Sequence, residues 1–244
     1  SSMTAILKKE INLLFSSLIA YISMAVFFVV LSLNLFVFQG NILDSNYATL
    51  DTFFTLTPWI LIFLIPAITM RTFADEKQSG TLEFLTTKPV TDLQIVLGKY
   101  LAALFLWTFT FIPTLIYFIA IKKLSLAEAP IDSGATYGSY IGLYFLGAVF
   151  VAIGVFASAI TNNQIVAFLV GVFLCYLMYD AFFRISSLDI FQGKLDYFIQ
   201  SIGLNAHYDS ISRGVVDTRD IIYFLSVISL FLIGTRTALE SRKW

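Results

Sequence analysis

Long stretches without any Lys, Arg, Asp or Glu constrain this sequence more than any other feature. They cover residues 11–43, 52–70, 100–121, 133–179 and 221–235, which is more than half of the 244-residue chain. A helix needs about 20 apolar residues to cross the ~30 Å hydrocarbon core of a bilayer, so these stretches predict membrane spans. A soluble enzyme is therefore excluded. A nucleic-acid-binding protein is excluded as well, because a net charge of −1 provides no basic surface.

The longest uncharged stretch is too long for one helix, and the polar cluster at 161–164 divides it into two. The chain is thus predicted to be an all-α, polytopic membrane protein with six transmembrane helices, forming one domain over residues 1–244. Glycines and alanines at four-residue spacing in 134–152 predict close helix packing around the fourth span. The predicted spans lie within residues 16–38, 53–73, 98–121, 138–160, 164–183 and 220–238.

Six spans place both termini on the same side of the membrane. If that side is the cytoplasm, nine of the lysines and arginines lie inside and six lie outside. Lysines and arginines near span ends favour the cytoplasmic side. We therefore expect the N- and C-termini to be cytoplasmic.

Residues 3–14 form a predicted amphipathic helix ahead of the first span, with Lys8 and Lys9 opposite an apolar stripe. Such a helix is typical of the membrane interface. Glu10 falls inside the apolar arc, where an unpaired carboxylate would be costly. Two interpretations remain open: Glu10 bends out to water, or it pairs with a basic residue of a cytoplasmic partner protein.

The predicted inner loop, residues 74–97, joins the second and third spans and is long for a helix connection. Gly80 ends its first polar turn, Thr81 to Thr87 can form a short helix, and Pro89 stops that helix. Thr91 and Asp92 can then cap the helix that leads into the third span. This segment is either a solvated hairpin or a docking element.

The predicted outer segment, residues 184–219, separates the fifth and sixth spans. Arg213 and Asp217 stand four residues apart there, and Asp180 and Arg184 have the same spacing at the end of the fifth span. Both pairs are predicted to form local ion pairs. Asp180 is also a candidate functional residue, because ionisable groups are expensive near the membrane.

The chain contains D-E-K-x-x-G-T-L-E-x-L-x-T-x-P-V at 75–90, preceded by R-x-F at 71–73 and followed by L-G-K-Y at 97–100, and H-Y-D-S-I-S-R-G-V-V-D-T-R-D at 207–220. These motifs resemble the permease subunits of type-2 ABC exporters. Together with P-W-I-x-x-F-L-I-P-A at 58–67 and N-Q-I-V-A-F at 163–168, they are similar to the gliding-motility permease of gliding bacteria.

The resemblance implies an exporter of the bacterial inner membrane, in which this chain pairs with a second, different permease. A cytoplasmic ATPase carrying ATP and Mg²⁺ would dock on a coupling helix at 76–89, and short extracellular helices would form a gate before the sixth span. The residues implied in ATPase coupling, with Glu10 added from its position in the N-terminal helix, are Glu10, Arg71, Asp75, Glu76, Gly80, Thr81, Glu83, Pro89 and Lys99. The residues implied in the gate are His207, Ser210, Arg213, Gly214, Asp217 and Asp220.

The sequence supports an ATPase on a separate chain, because it contains no G-x-x-x-x-G-K-[ST] phosphate-binding loop. We expect no catalysis and no bound cofactor or metal in this chain. An intramembrane enzyme is the weaker reading, since one His, one Cys and one membrane-edge Asp supply no catalytic set. A pore is disfavoured by the scattered acids. A membrane anchor for a motility or secretion complex remains the alternative to transport.

Overall fold

The computed structural model describes residues 2–193 and 195–241, and all regular structure in that part is helical. The α-helices are α1 (Ser2–Ser16), α2 (Leu18–Phe36), α3 (Ile42–Ser45), α4 (Asp51–Thr69), α5 (Arg71–Gln78), α6 (Thr81–Thr86), α7 (Asp92–Phe111), α8 (Leu115–Leu124), α9 (Ser133–Ala159), α10 (Gln164–Tyr176), α11 (Phe182–Ser186), α12 (Asp196–Ile202), α13 (Leu204–Ser212) and α14 (Thr218–Glu240).

Six helical segments are long and apolar enough to cross a membrane, which confirms the predicted all-α, six-span architecture. Three of them are composite. The second span joins α4 and α5, the third joins α7 and α8, and the fifth joins α10 and α11. A 3₁₀ turn at Ile112–Thr114 interrupts the third span, where Pro113 lacks the N–H that a regular helix needs. A π turn at Leu177–Ala181 interrupts the fifth.

Helix α9 forms the centre of the bundle. In its most apolar 18-residue stretch 78 % of the residues are buried, compared with 28 % in α2 and 22 % in α14. The outer helices therefore turn most of their apolar surface away from the protein, as expected of helices that face lipid. The polar cluster that divides the long uncharged stretch separates α9 from α10, because the Asn163 side chain accepts the backbone N–H groups of Ile165 and Val166.

Glycines let the neighbouring helices approach α9 closely, which confirms the predicted packing around the fourth span. A Cβ atom at Gly138 would lie 2.5 Å from the carbonyl oxygen of Ile211 in α13. One at Gly154 would lie 2.0 Å from Thr69 Oγ1 at the end of α4. Without side chains at these positions, the helix backbones can come into contact.

The two ends of the bundle differ. We call the end that carries α1, α5, α6 and the last turn of α14 the proximal face, and the end that carries α3, α12 and α13 the distal face. The predicted helix at 3–14 is α1, which packs along α7 with Ile6 against Gly98. The predicted inner loop is largely helical, because α5 prolongs the second span and Thr91 starts α7 with a capping box.

Candidate functional site

The proximal face is organised around a break in the second span at Met70. The hydroxyl of Ser158, fully buried at the end of α9, accepts the backbone N–H groups of Phe73 and Ala74 at 2.9 and 3.0 Å. The same hydroxyl donates to the Met70 carbonyl at 2.8 Å. One side chain of α9 thus satisfies the backbone at the start of α5 and fixes the direction in which α5 leaves the bundle.

A buried lysine joins three helices beside this break. Lys99 of α7 is only 1 % exposed, and its ammonium group donates to Glu10 Oε1 of α1 at 2.9 Å and to the Thr72 carbonyl at 2.7 Å. Glu76 Oε2 of α5 lies 3.0 Å from the same nitrogen, in an ion pair whose angles fall short of a hydrogen bond. A buried charge is tolerated only with such partners. The lysine therefore ties α1 and α5 to the third span.

Lys9 completes the cluster from the solvent side. Its ammonium group donates to Glu76 Oε1 at 2.8 Å and lies 3.7 Å from Glu10 Oε1. Partial burial lowers the pKa of Lys9, but the hydrogen bond and the charge of Glu76 outweigh this effect and raise the pKa above its usual value. We call Lys9, Glu10, Glu76 and Lys99 the ionic cluster.

The ionic cluster corrects the expectations for Glu10. Glu10 is 5 % exposed, so its carboxylate does not bend out to water. It is paired with Lys99 of the same chain and not with a basic residue of another protein. Lys99 and most of Glu76 are likewise enclosed, so these three predicted coupling residues do not form a docking surface. They lie at the base of the segment that carries the exposed helix α6.

The exposed part of the proximal face is α6. Gly80, with φ of 72°, turns the chain out of α5, and this left-handed conformation suits glycine. Leu82 is buried and anchors the short helix, whereas Thr81, Glu83 and Pro89 are exposed. Phe84 is 72 % exposed at the tip, although an aromatic ring normally seeks burial. The remaining predicted residues, Arg71 and Asp75, form an ion pair of 2.9 Å along α5.

Sequence reasoning missed Lys9, Ser158 and Phe84 as parts of this site, and it missed Lys77, whose ammonium group donates to the Ala159 carbonyl of α9. Phe84 could have been considered from the sequence, because it is the aromatic residue between Glu83 and Leu85 in the motif at 75–90. Nothing in the sequence spacing indicates the Ser158 contacts, which join residues more than 80 positions apart.

The distal face brings together three of the predicted gate residues. His207 Nδ1 lies 2.7 Å from Asp220 Oδ1, and Ser210 donates to Asp220 Oδ2 at 2.7 Å. His207 Nε2 lies 2.8 Å from the Ser201 carbonyl, and the imidazole stacks on Tyr223 with ring centroids 3.7 Å apart. These contacts fasten α13 to the beginning of α14.

The predicted ion pair between Arg213 and Asp217 is wrong. Helix α13 ends at Ser212, and Gly214 turns the chain with a φ of 90°, so the two side chains do not share a helix. Asp217 caps α14 instead, accepting the Arg219 N–H at 2.8 Å. The other predicted pair forms, with Arg184 Nε 2.5 Å from Asp180 Oδ2.

The sequence was compared with models of known protein families and with curated proteins. Residues 4–243 match the family described as ABC-2 family transporter protein. A comparison with curated proteins gives no significant match. The match covers almost all of the described residues, including the six apolar helices. Members of this family are membrane components of transporters that work with an ATP-binding subunit. The chain therefore belongs to the ABC-2 transporter family, as a multi-pass permease component that is not itself the catalyst.

Proposed function

We propose that this chain is the permease subunit of an ATP-driven exporter and that α6 is its docking element for a separate ATPase. In this proposal the proximal face is cytoplasmic, and ATP and Mg²⁺ are bound by the ATPase. The chain acts as one permease domain that changes conformation when the ATPase closes on its nucleotide.

The proposal rests mainly on one observation: α6 is exposed at the tip of the proximal face, whereas the contacts beneath it are buried and hold it in place. The tip presents Phe84 and Glu83 to solvent on a helix of six residues. The base beneath it is fixed by the ionic cluster, by Ser158 and by Lys77. An exposed aromatic residue on a firmly held helix is typical of an interface anchor.

The contacts at this base can transmit a displacement of α6 to the membrane spans. A push on α6 reaches α5, whose backbone is bonded to α9 through Ser158. Through Glu76 it also reaches Lys99 of the third span and Glu10 of α1. A conformational change is coupled to ATPase closure only if such contacts differ between two states. The proposal therefore requires the ionic cluster to rearrange during the transport cycle.

The finer assignments rest on the motifs of the sequence. The patterns at 75–90 and 207–220 favour a bacterial inner-membrane exporter linked to gliding motility, working as a heteromer with a second permease. On the distal face, the contacts of His207, Ser210 and Asp220 favour a closed gate that holds α13 against α14.

Purification from the native membrane tests docking. We expect the tagged wild-type chain to retain an ABC ATPase, identified by mass spectrometry through its own phosphate-binding loop. Glu83→Lys and Phe84→Ala should each lower the retained amount by about tenfold or more, in line with the loss of an interface anchor. Glu128→Lys, the same charge reversal at an exposed distal position, is the matched control.

Retention of the ATPase by both α6 variants at the wild-type level would contradict the docking role. Reconstitution of the retained complex then separates transport from anchoring. Hydrolysis that responds to added cargo from the native membrane supports an exporter, and hydrolysis that is indifferent to it supports a membrane anchor.

A further inference from the structure

A cavity of about 370 Å³ opens on the distal face, away from the proximal docking element. It lies where α4 begins, where the π turn interrupts the fifth span, and where α13 packs over α9. Its volume falls within the range of small-molecule sites. The cavity lies at the distal ends of the second and fifth spans, where the bilayer surface is expected.

The charge of the lining has one sign. Asp51, Asp180 and Asp209 come from three different helical segments, and no lysine or arginine lines the cavity. Asp180 is paired with Arg184. Within the described chain, neither Asp51 nor Asp209 makes a side-chain hydrogen bond or an ion pair, although the charge of Arg213 acts on Asp209 from outside the lining. The carboxylate oxygens of both residues can therefore accept hydrogen bonds from a cation in the cavity.

The walls are aromatic, and one of them carries a polar atom without a partner. Trp59 and Tyr179 meet edge to face with ring centroids 5.7 Å apart, and both line the cavity. Tyr179 is only 5 % exposed, yet its hydroxyl makes no hydrogen bond within the described residues. A buried tyrosine hydroxyl usually has a partner. Tyr179 lines the cavity, so a ligand there can supply that partner.

These features favour an organic cation over a metal ion. In the described residues no three acidic, His or Cys side chains lie close enough together to hold a metal ion. Separated carboxylates, a phenolic oxygen and aromatic faces together suit an ammonium group, which donates to the oxygens and attracts the rings by cation–π interaction.

We propose that this distal cavity binds a primary ammonium group, carried either by a soluble amine or by a lipid headgroup such as phosphatidylethanolamine. The ammonium N–H groups donate to Asp51, Asp209 and the Tyr179 hydroxyl, while the attached carbon chain lies against Trp59. The proposal is independent of ATPase docking, and its test needs only the full chain.

Calorimetric titration of the purified chain in maltoside micelles provides the test. The probes are 1,6-diaminohexane for the soluble source and dihexanoyl phosphatidylethanolamine for the lipid source. Dihexanoyl phosphatidylcholine, whose quaternary ammonium cannot donate, is the control ligand. We expect saturable binding of at least one amine probe and binding of the phosphatidylcholine at least tenfold weaker.

Variants assign the binding to the cavity. Asp209→Asn and Tyr179→Phe should each weaken it about five- to tenfold, since each removes one charge or one acceptor while keeping the shape. Asp189→Asn, the same change at an exposed distal residue outside the cavity, should leave it unchanged. Thermal unfolding of each variant verifies that the fold is retained.

Binding of the diamine alone identifies a soluble amine, and binding of the phosphatidylethanolamine alone identifies a lipid. The absence of saturable binding by both amine probes overturns the proposal. Equal binding of phosphatidylcholine and phosphatidylethanolamine also overturns it, as does wild-type affinity in both cavity variants.

Discussion

Replacing Lys99 with methionine is the perturbation that tests the ionic cluster most severely. Methionine nearly fills the space of the lysine chain but removes the ammonium group, which contacts Glu10, Glu76 and the Thr72 carbonyl within 3.0 Å. Glu76 keeps Lys9 at 2.8 Å. Glu10 keeps only the longer contact with Lys9, whose side chain is 49 % exposed and therefore well screened by water.

The expected cost follows from the burial of Glu10. Its side chain is 7 % exposed, so Lys99→Met leaves a nearly buried carboxylate without its close counter-charge. Breaking a buried ion pair in this way costs about 3–5 kcal/mol. We expect the lower end, about 3 kcal/mol, because Lys9 remains nearby. Adding Glu10→Gln removes the stranded charge and should restore about 1–3 kcal/mol of the loss.

The free energy of unfolding, measured by denaturing-detergent titration in mixed micelles, is the appropriate readout. Lys8→Met, the same substitution at an exposed position of α1, should stay within about 0.5 kcal/mol of the wild type. The reasoning is refuted if Lys99→Met is as stable as Lys8→Met, or if the Glu10 and Lys99 changes simply add.

Two further substitutions test the packing that positions the proximal face. Ser158→Ala should destabilise the chain by about 1–3 kcal/mol in the same titration, because it leaves two buried backbone N–H groups unsatisfied. The control Ser226→Ala removes only an exposed hydroxyl that is bonded within its own helix. Equal stability of the two variants would contradict the structural role of Ser158. Gly147→Ala should be less stable than Gly134→Ala by about 1–3 kcal/mol, because its methyl group would lie 2.2 Å from the Trp107 ring, whereas at Gly134 the nearest atom is 3.5 Å away. Indistinguishable unfolding of the two glycine variants would show that Trp107 moves aside freely.

The six-span architecture could be predicted because uncharged length is a local property of the chain. The ends of the spans were harder to predict. The uncharged stretch of the second span ends at Met70, but the helix continues through the charged residues of α5. That continuation depends on Ser158, which supplies hydrogen bonds from a distant helix. A local pattern carries no information about such a contact.

In the candidate site, too, local patterns identified individual residues but not the contacts between residues that are far apart in the sequence. Glu10 and Lys99 were each predicted to matter, but their pairing spans 89 positions and could not be read from spacing. The Arg213–Asp217 spacing suggested an ion pair that the turn at Gly214 prevents. On α6, Leu82 is buried and Leu85 is half-buried, whereas Phe84 between them is exposed, because tertiary packing decides which side of a short helix is covered.

Site-specific cross-linking from α6 tests the docking of a separate ATPase most directly. The single native cysteine, Cys175, is fully buried, so a thiol introduced by Phe84→Cys can be labelled selectively with a photo-cross-linker in native membranes. Leu126→Cys is the matched control, since Leu126 is 74 % exposed on the distal face and Phe84 is 72 % exposed on the proximal face. The account predicts a cross-linked product that contains an ABC ATPase from Phe84→Cys and none from Leu126→Cys. A Phe84→Cys product without an ATPase, or the same product from both positions, would contradict it.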